Sequence, residues 1–146
     1  MKYLIILFVF ILSSCSSTRS PSEENSFPTP IGGEIPEKEK LFQSMRGIYK
    51  AEIRSDWKTF WSYFPPSEQK NRPLGKFLQE MKEAHHSIEY KVLSVTNEGE
   101  NKENEFESTV EVKIQWITKE KNGYGLDVLK DYWIFSNGQW YWIIRN

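Results

Sequence analysis

Apolar residues recur at helical spacing in the first part of the folded region. Between residues 41 and 53 they are separated by three or four positions, which predicts an amphipathic helix. Glu37 and Glu39 follow Pro36 and favour a helix start there, because the positive end of a helix dipole attracts carboxylates. The apolar stripe consists of Leu41, Met45, Ile48, Tyr49 and Ile53.

Two shorter helical segments are predicted next. Ser55 and Asp56 are typical of the residues that cap a helix, and helical spacing then continues until the pair Pro65-Pro66 ends it. Pro73 favours the first turn of a third segment. The apolar positions are Trp57, Phe60, Trp61 and Phe64 in the second segment and Leu74, Phe77, Leu78 and Met81 in the third.

Beyond His86 the apolar residues tend to recur at every second position, which is typical of β-strands. Strands are predicted at residues 87–96, 106–116, 126–136 and 139–145, with polar turns between them. The pair Asn137-Gly138 is a strong signal for a hairpin between the last two strands. Helices followed by four sequential antiparallel strands predict an α+β fold, with N-terminal helices packed on a four-stranded antiparallel meander.

The predicted strands differ in how their apolar side chains divide between the two faces of the sheet. In residues 106–116 one face is apolar and the other polar, as expected where one face is in water. The last two strands carry apolar side chains on both faces, because neighbouring side chains alternate. One interpretation is a core on both sides, and the other is a surface for a ligand or partner. The candidate surface residues are Trp116, Tyr132, Trp133, Trp140, Tyr141 and Trp142.

Composition narrows the possible classes of protein. The 146 residues include 19 Lys and Arg and 20 Asp and Glu, a formal charge of -1 that provides no basic field for nucleic acid. A single cysteine excludes an intramolecular disulfide. The chain is 38% hydrophobic and 27% charged, which indicates a globular rather than a disordered protein.

The amino terminus has the pattern of an export signal. Lys2 precedes an apolar run at residues 3–12, which is too short to span a bilayer and fits the core of a signal peptide. The string Leu12-Ser13-Ser14-Cys15 resembles the lipobox of bacterial lipoproteins. The resemblance implies cleavage of residues 1–14, lipid attachment at Cys15 and a location in the bacterial cell envelope. By the same resemblance, Ser16 after the cysteine, in place of an aspartate, favours location in the outer membrane where one exists. The alternative to a lipobox is an ordinary secretory signal in which Cys15 has no role.

Residues 15–36 are predicted to be the lipidated cysteine and a flexible tether. The segment is rich in proline and serine, contains Gly32-Gly33, and offers only Phe27, Ile31 and Ile35 for burial. The entropic cost of ordering this segment should therefore exceed the free energy that burial of its few apolar side chains would supply. The folded domain is predicted to occupy residues 37–146, which is enough for one hydrophobic core.

The order of elements in residues 37–146 resembles the NTF2-like superfamily, a cystatin-like α+β fold. The resemblance rests on this order, on residues 49–53 followed by Asp56-Trp57, and on the terminal segment 137–142. It implies that the four-stranded sheet is curved and wraps around the long helix, making a cone whose mouth often holds a ligand or partner. Members often have a strand between the second and third helices, but residues 65–72 show no strand pattern. No catalytic motif of the family maps onto this chain.

Several polar residues are candidates for chemistry. Asp56 could be a general base, although helix capping is the simpler interpretation. Asp127 and Asp131 share a strand face, but Lys130 and the nearby turn indicate a solvated edge. Adjacent rings at His85-His86 cannot readily converge on one metal, and they suit a helix end. The acidic run of residues 98–107 lacks calcium-loop spacing and is interpreted as a solvated hairpin loop.

The sequence leaves three functional hypotheses. The first is a non-enzymatic, membrane-anchored envelope lipoprotein that binds a protein partner or small ligand through the aromatic sheet face or cone, with no cofactor. The alternative is a small-pocket enzyme of the hydratase or isomerase type with Asp56, His85 or Tyr132 in the cone. A third hypothesis is an assembly subunit that forms a homodimer through its sheet.

Overall fold

A computed structural model describes residues 26–83, 86–118 and 123–144. Within them the chain forms helices first and strands afterwards. The helices are α1 (Lys38–Ile53), α2 (Trp57–Trp61), α3 (Pro66–Asn71) and α4 (Leu74–Glu80), and a 3-10 turn follows at Met81–Glu83. The strands are β1 (His86–Glu100), β2 (Phe106–Ile117), β3 (Tyr124–Ser136) and β4 (Gln139–Ile143).

The strands form one antiparallel sheet in the order β1-β2-β3-β4, a meander in which each strand pairs with the next along the chain. The predicted α+β class, with helices and a four-stranded antiparallel sheet, is therefore confirmed for the described part of the chain. The register of β1 against β2 shifts at three places, between Ser87 and Glu89, Val92 and Ser94, and Asn97 and Gly99. Such bulges bend a strand locally.

The core lies between the helices and one face of the sheet, here called the inner face. The apolar stripe of α1 supplies Leu41, Met45 and Ile48, each at most 1% exposed. From the sheet come Val95, Val110 and Val112, which are fully buried neighbours on β1 and β2. The opposite side of the sheet, here called the outer face, carries the polar side chains of β2 that the sequence places in water.

Residues Pro66–Asn71 form the helix α3, which the sequence pattern does not predict. Pro66 occupies the first turn of α3, where a missing N–H costs nothing because first-turn N–H groups lack partners inside the helix. Pro65-Pro66 therefore ends one helix and begins another. The helical spacing of Leu74, Phe77, Leu78 and Met81 predicts one shared apolar face. In α4, however, Phe77 is buried and Leu78 is 38% exposed, so these two residues do not share a buried face.

Residues 26–36, which we expected to belong to the flexible tether, pack on the domain. Phe27 stacks on Phe42 of α1 with ring centroids 4.6 Å apart, and Ile35 is 6% exposed. The backbone of Ile31 pairs with β1, donating to the carbonyl of Val95 at 2.9 Å and accepting from the N–H of Asn97 at 2.8 Å. The prediction treated these apolar residues as too few to pack. In the structure Phe27 packs on α1, Ile35 joins the core, and Ile31 pairs with β1 through its backbone.

Several predicted features lie outside the described residues. They are the signal peptide, Cys15, His85 and the chain end at residues 145–146. Among the residues that the structure describes, no helix is long and apolar enough to cross a membrane.

Candidate functional site

A cavity of about 310 Å³ opens between the inner face of the sheet and the helices α2 and α4. Its wall is mainly apolar and includes Trp57, Phe60, Phe77, Trp116, Leu129 and Trp142. The Trp142 ring is held in place by contacts with Phe60 and Phe64, with centroids 5.3 Å away in both cases. The polar side chains in the wall are Glu52, Arg72, Ser87 and Asp127.

Glu52 comes from α1, three residues after Tyr49, and therefore points to the same side of the helix as the apolar stripe. The hydroxyl of Ser87 donates a hydrogen bond of 2.6 Å to its Oε1. Burial raises the pKa of Glu52, the nearby Asp131 carboxylate raises it further, and the Ser87 hydrogen bond acts in the opposite direction. The carboxylate is thus fixed by Ser87 at the cavity wall.

Trp116 and Asp127 form a second polar group at the same end of the sheet. The indole N–H of Trp116 donates a 2.6 Å hydrogen bond to Oδ2 of Asp127. The indole ring lies over Gly125, its cross-strand neighbour, and a β-carbon at position 125 would overlap the ring. Because Ser87 pairs with Trp116 between β1 and β2, these residues connect the two carboxylates along one end of the inner face.

Tyr49 and Asp131 form a buried pair behind the cavity. The Tyr49 hydroxyl donates to Oδ2 of Asp131 at 2.6 Å, and Asp131 is only 8% exposed. Burial raises the pKa of Asp131, while Tyr49 and the Trp142 indole lower it. The expectation that Asp131 lies on a solvated edge is therefore wrong. Side chains along β3 alternate between the inner and the outer face. Asp131 therefore faces α1, while Lys130 points outward to Glu111.

Arg72 belongs to the cavity wall, but its guanidinium group already forms an ion pair within the protein. Its guanidinium forms an ion pair with Glu80, including a 2.7 Å hydrogen bond from Nε, and lies 5.0 Å from the centroid of the Phe77 ring. Its backbone carbonyl accepts a hydrogen bond from the Trp61 indole at 2.8 Å. Arg72 thus holds α2 and the segment before α4 together at the cavity.

The candidate aromatic residues divide into three groups. Trp133 and Trp140 are each 1% exposed and belong to the core, so they offer no surface to a partner. Trp140 also donates from its indole to the carbonyl of Pro36 at 3.1 Å. Trp116 and Trp142 line the cavity. The remaining pair, Tyr132 and Tyr141, is half-buried on the outer face.

Of the residues named for the enzyme alternative, the two that the structure describes, Asp56 and Tyr132, do not line the cavity. Asp56 is exposed and caps α2, accepting a hydrogen bond from the Thr59 N–H at 3.1 Å. The pKa of Asp56 is lowered mainly by a hydrogen bond with the Thr59 side chain and next by the one from the Thr59 backbone. The backbone hydrogen bond confirms the capping interpretation. Tyr132 lies on the opposite face of the sheet from the cavity, and His85 is not among the described residues.

The acidic loop between β1 and β2 is organised by Asn101. Its side-chain oxygen accepts from the N–H groups of Glu103 and Glu105, and its amide group donates to the carboxylates of Glu105 and Glu107. Within the described ranges, no group of three or more His, Cys, Asp or Glu residues could hold a metal ion.

Sequence reasoning did not single out Glu52, Ser87 or the Tyr49–Asp131 pair. A signal for Glu52 was present, because it is a charged residue inside the apolar stripe of α1. Ser87 had no comparable local signal. For Asp131 the alternation along the strand indicated a shared face with Asp127 but not the partner Tyr49, which is 82 residues away in the chain.

The helices, sheet and cavity define an α+β protein with an apolar site between its layers. The chain is similar to a solution structure of a SEC-C motif containing protein from Rhodopseudomonas palustris, with 18% sequence identity and a TM-score of 0.53. The match covers 68% of this chain and 71% of the other. At this identity the similarity concerns the fold alone. No family model matches the chain, and no curated protein matches it.

Proposed function

We propose that this chain is an envelope lipoprotein, anchored through Cys15, whose NTF2-like domain binds a small, largely apolar molecule in the cavity between helices and sheet. The observation that carries the proposal is the cavity itself. Its volume of about 310 Å³ lies at the lower end of the range in which ligand pockets fall. Its wall combines apolar rings with a few fixed polar groups, the usual composition of such pockets.

The polar groups at the cavity would orient a ligand rather than supply most of its binding energy. Glu52 and Asp127 are each held by one hydrogen bond, from Ser87 and Trp116 respectively. Groups held in this way lose little further freedom when a ligand binds. The proposed role is binding rather than catalysis, because Asp56 and Tyr132 do not line the cavity.

The lipid anchor and the NTF2-like cone are supported by separate observations. The lipobox resemblance at residues 12–15 supports the anchor. The long helix α1 buried against the inner face supports the cone, as does the cavity at one end of that face. Because residues 26–36 pack on the domain, the tether in this proposal comprises residues 16–25.

A test uses the full chain purified from membranes in a mild detergent. Calorimetric titration with 2-naphthylmethanol, a neutral aromatic alcohol, measures binding to the cavity. Leu129→Trp should weaken binding by about tenfold or more, because the larger ring obstructs the space that the probe needs. The matched control is Leu93→Trp, which adds the same side chain at an exposed position outside the cavity. Equal binding by wild type and Leu129→Trp would contradict the proposal.

A further inference from the structure

The charged groups in the cavity wall are mostly negative. Glu52 and Asp127 contribute carboxylates, and the one cation among the described lining residues is Arg72. The charge of Arg72 is balanced by Glu80, with which it forms an ion pair. Each cavity carboxylate uses one oxygen for a hydrogen bond to the protein, Oε1 of Glu52 with Ser87 and Oδ2 of Asp127 with Trp116.

We propose that the cavity selects a cationic ligand, an apolar or aromatic molecule that carries a protonated amine, whose ammonium group binds at the carboxylates of Glu52 and Asp127. The inference rests on the proposed function of the cavity and names the chemical class of its ligand. Uncharged and anionic molecules of the same shape are expected to bind more weakly.

Hydrogen-bond geometry favours an ammonium group. Within the part of the chain that the structure describes, Ser87 and Trp116 occupy Oε1 of Glu52 and Oδ2 of Asp127. The second oxygens, Oε2 of Glu52 and Oδ1 of Asp127, are available there to accept a hydrogen bond from a ligand. An N–H donor that carries a positive charge forms the strongest hydrogen bond with such an oxygen. Since Ser87 and Trp116 donate to the other oxygens, both carboxylates keep their orientation when a cation binds.

The aromatic wall favours the same class of ligand. Trp57, Trp116 and Trp142 line the cavity together with Phe60 and Phe77, and the faces of such rings attract cations, indole most strongly. The rings also accept the apolar body of the ligand. An anion would gain nothing from the ring faces and would be repelled by both carboxylates.

Burial of Glu52 is a further reason why the cavity should prefer a cationic ligand. Its pKa is raised mainly by burial, so the ionised form is held at a cost in the empty cavity. A bound ammonium group offsets this cost, because an opposite charge nearby favours the ionised form. A neutral ligand offers no such compensation.

The experiment compares three probes with the same aromatic ring at neutral pH. These are 2-naphthylmethylamine, which is cationic, 2-naphthylmethanol, which is neutral, and 2-naphthoate, which is anionic. The full chain in detergent is titrated with each probe by calorimetry at one detergent concentration. The partition of each probe into protein-free micelles is measured separately, and the free concentration of that probe is corrected for it. The amine is expected to bind at least about tenfold more tightly than the alcohol, and the anion most weakly.

Two variants test whether the carboxylates are responsible. Glu52→Gln and Asp127→Asn should each weaken binding of the amine by about tenfold and binding of the alcohol by a clearly smaller factor, because the alcohol loses a stronger hydrogen bond but no attraction between opposite charges. Asp127 is exposed, so Asp127→Asn remains informative if Glu52→Gln folds poorly. The matched control is Glu89→Gln, an exposed position outside the cavity, which should leave all three titrations unchanged.

The possible outcomes separate the two proposals. If the alcohol binds as tightly as the amine, the cationic preference is wrong and the proposed binding function stands. If the amine binds more tightly but neither carboxylate variant weakens it, the assignment to Glu52 and Asp127 is overturned. If no probe binds, both the proposed function and this inference are contradicted.

Discussion

The Tyr49 hydroxyl donates a hydrogen bond of 2.6 Å to Oδ2 of Asp131, and so joins α1 to β3 across 82 residues of sequence. Both side chains are buried, at 2% and 8% exposure. In the sheet, Asp131 lies directly across from Val110 of β2, and Val110 is fully buried. An ionisable group is therefore part of the core at the place where the long helix meets the sheet.

This arrangement predicts a dependence of stability on pH. The pKa of Asp131 is raised in the folded chain, so between the ordinary carboxyl value of about 4 and the raised value the folded state binds more protons than the unfolded state. Stability contributed by this group therefore falls as pH rises through that window. In Asp131→Asn the side chain can still accept from Tyr49 and has no charge to bury.

We expect Asp131→Asn to flatten the fall in the free energy of unfolding as pH rises above about 4. Urea unfolding at a series of pH values measures it. Glu98→Gln, at an exposed position near the end of β1, is the control and should retain the wild-type profile. Parallel profiles for wild type and Asp131→Asn would show that Asp131 is not responsible.

Adjacent residues on α4 should differ strongly in their contribution to stability. Phe77 is 1% exposed and contacts the rings of Phe60 and Phe64, whereas Leu78 is 38% exposed. Phe77→Ala should lower the free energy of unfolding by about 3–5 kcal/mol, because it leaves a cavity in the core. Leu78→Ala should cost less than about 1 kcal/mol. Chemical denaturation measures both, and similar losses would contradict the observed orientation of α4.

Local patterns in the sequence predicted most of the fold and little of the site. The stripe on α1 and the alternation in β2 follow from the periodicity of one buried face, and both agree with the structure. Alternation also indicated that Asp127 and Asp131 share a face, but it could not tell which face is buried. That choice depends on pairing with β2 and on contact with Tyr49, which no local pattern encodes. The helix α3 was missed because two adjacent prolines indicate a break as readily as a start.

Gly125 should be required for the position of the Trp116 ring. A β-carbon at position 125 would overlap the indole, so Gly125→Ala should displace the ring and weaken its hydrogen bond to Asp127. Binding of 2-naphthylmethylamine should then weaken several-fold. Gly75→Ala is the matched control, because a β-carbon there meets no atom within 4 Å and alanine is favourable in a helix. Unchanged binding in Gly125→Ala would contradict a role for the ordered Trp116 indole.

The segment before α1 should contribute to the stability of the domain. Ile35 is 6% exposed within the core, and Ile35→Ala should lower the free energy of unfolding by about 2–5 kcal/mol. Ile31 is 61% exposed and interacts with β1 mainly through its backbone, so Ile31→Ala should cost less than about 1 kcal/mol. Thermal or urea unfolding of the two variants measures the difference. Wild-type stability in Ile35→Ala would show that this segment is dispensable.

Anchoring through Cys15 predicts a difference between two neighbouring positions. The proposed lipid is attached at Cys15, and two or more acyl chains give stable membrane attachment, since each buried CH₂ contributes about 0.8 kcal/mol. Cys15→Ser should abolish lipid attachment and remove the acylated mature form from the membrane fraction. Ser16→Ala keeps the cysteine and should remain lipidated. Mass spectrometry of the amino-terminal peptide measures the modification directly, and an unmodified Cys15 in a mature, soluble wild-type chain would overturn the anchor.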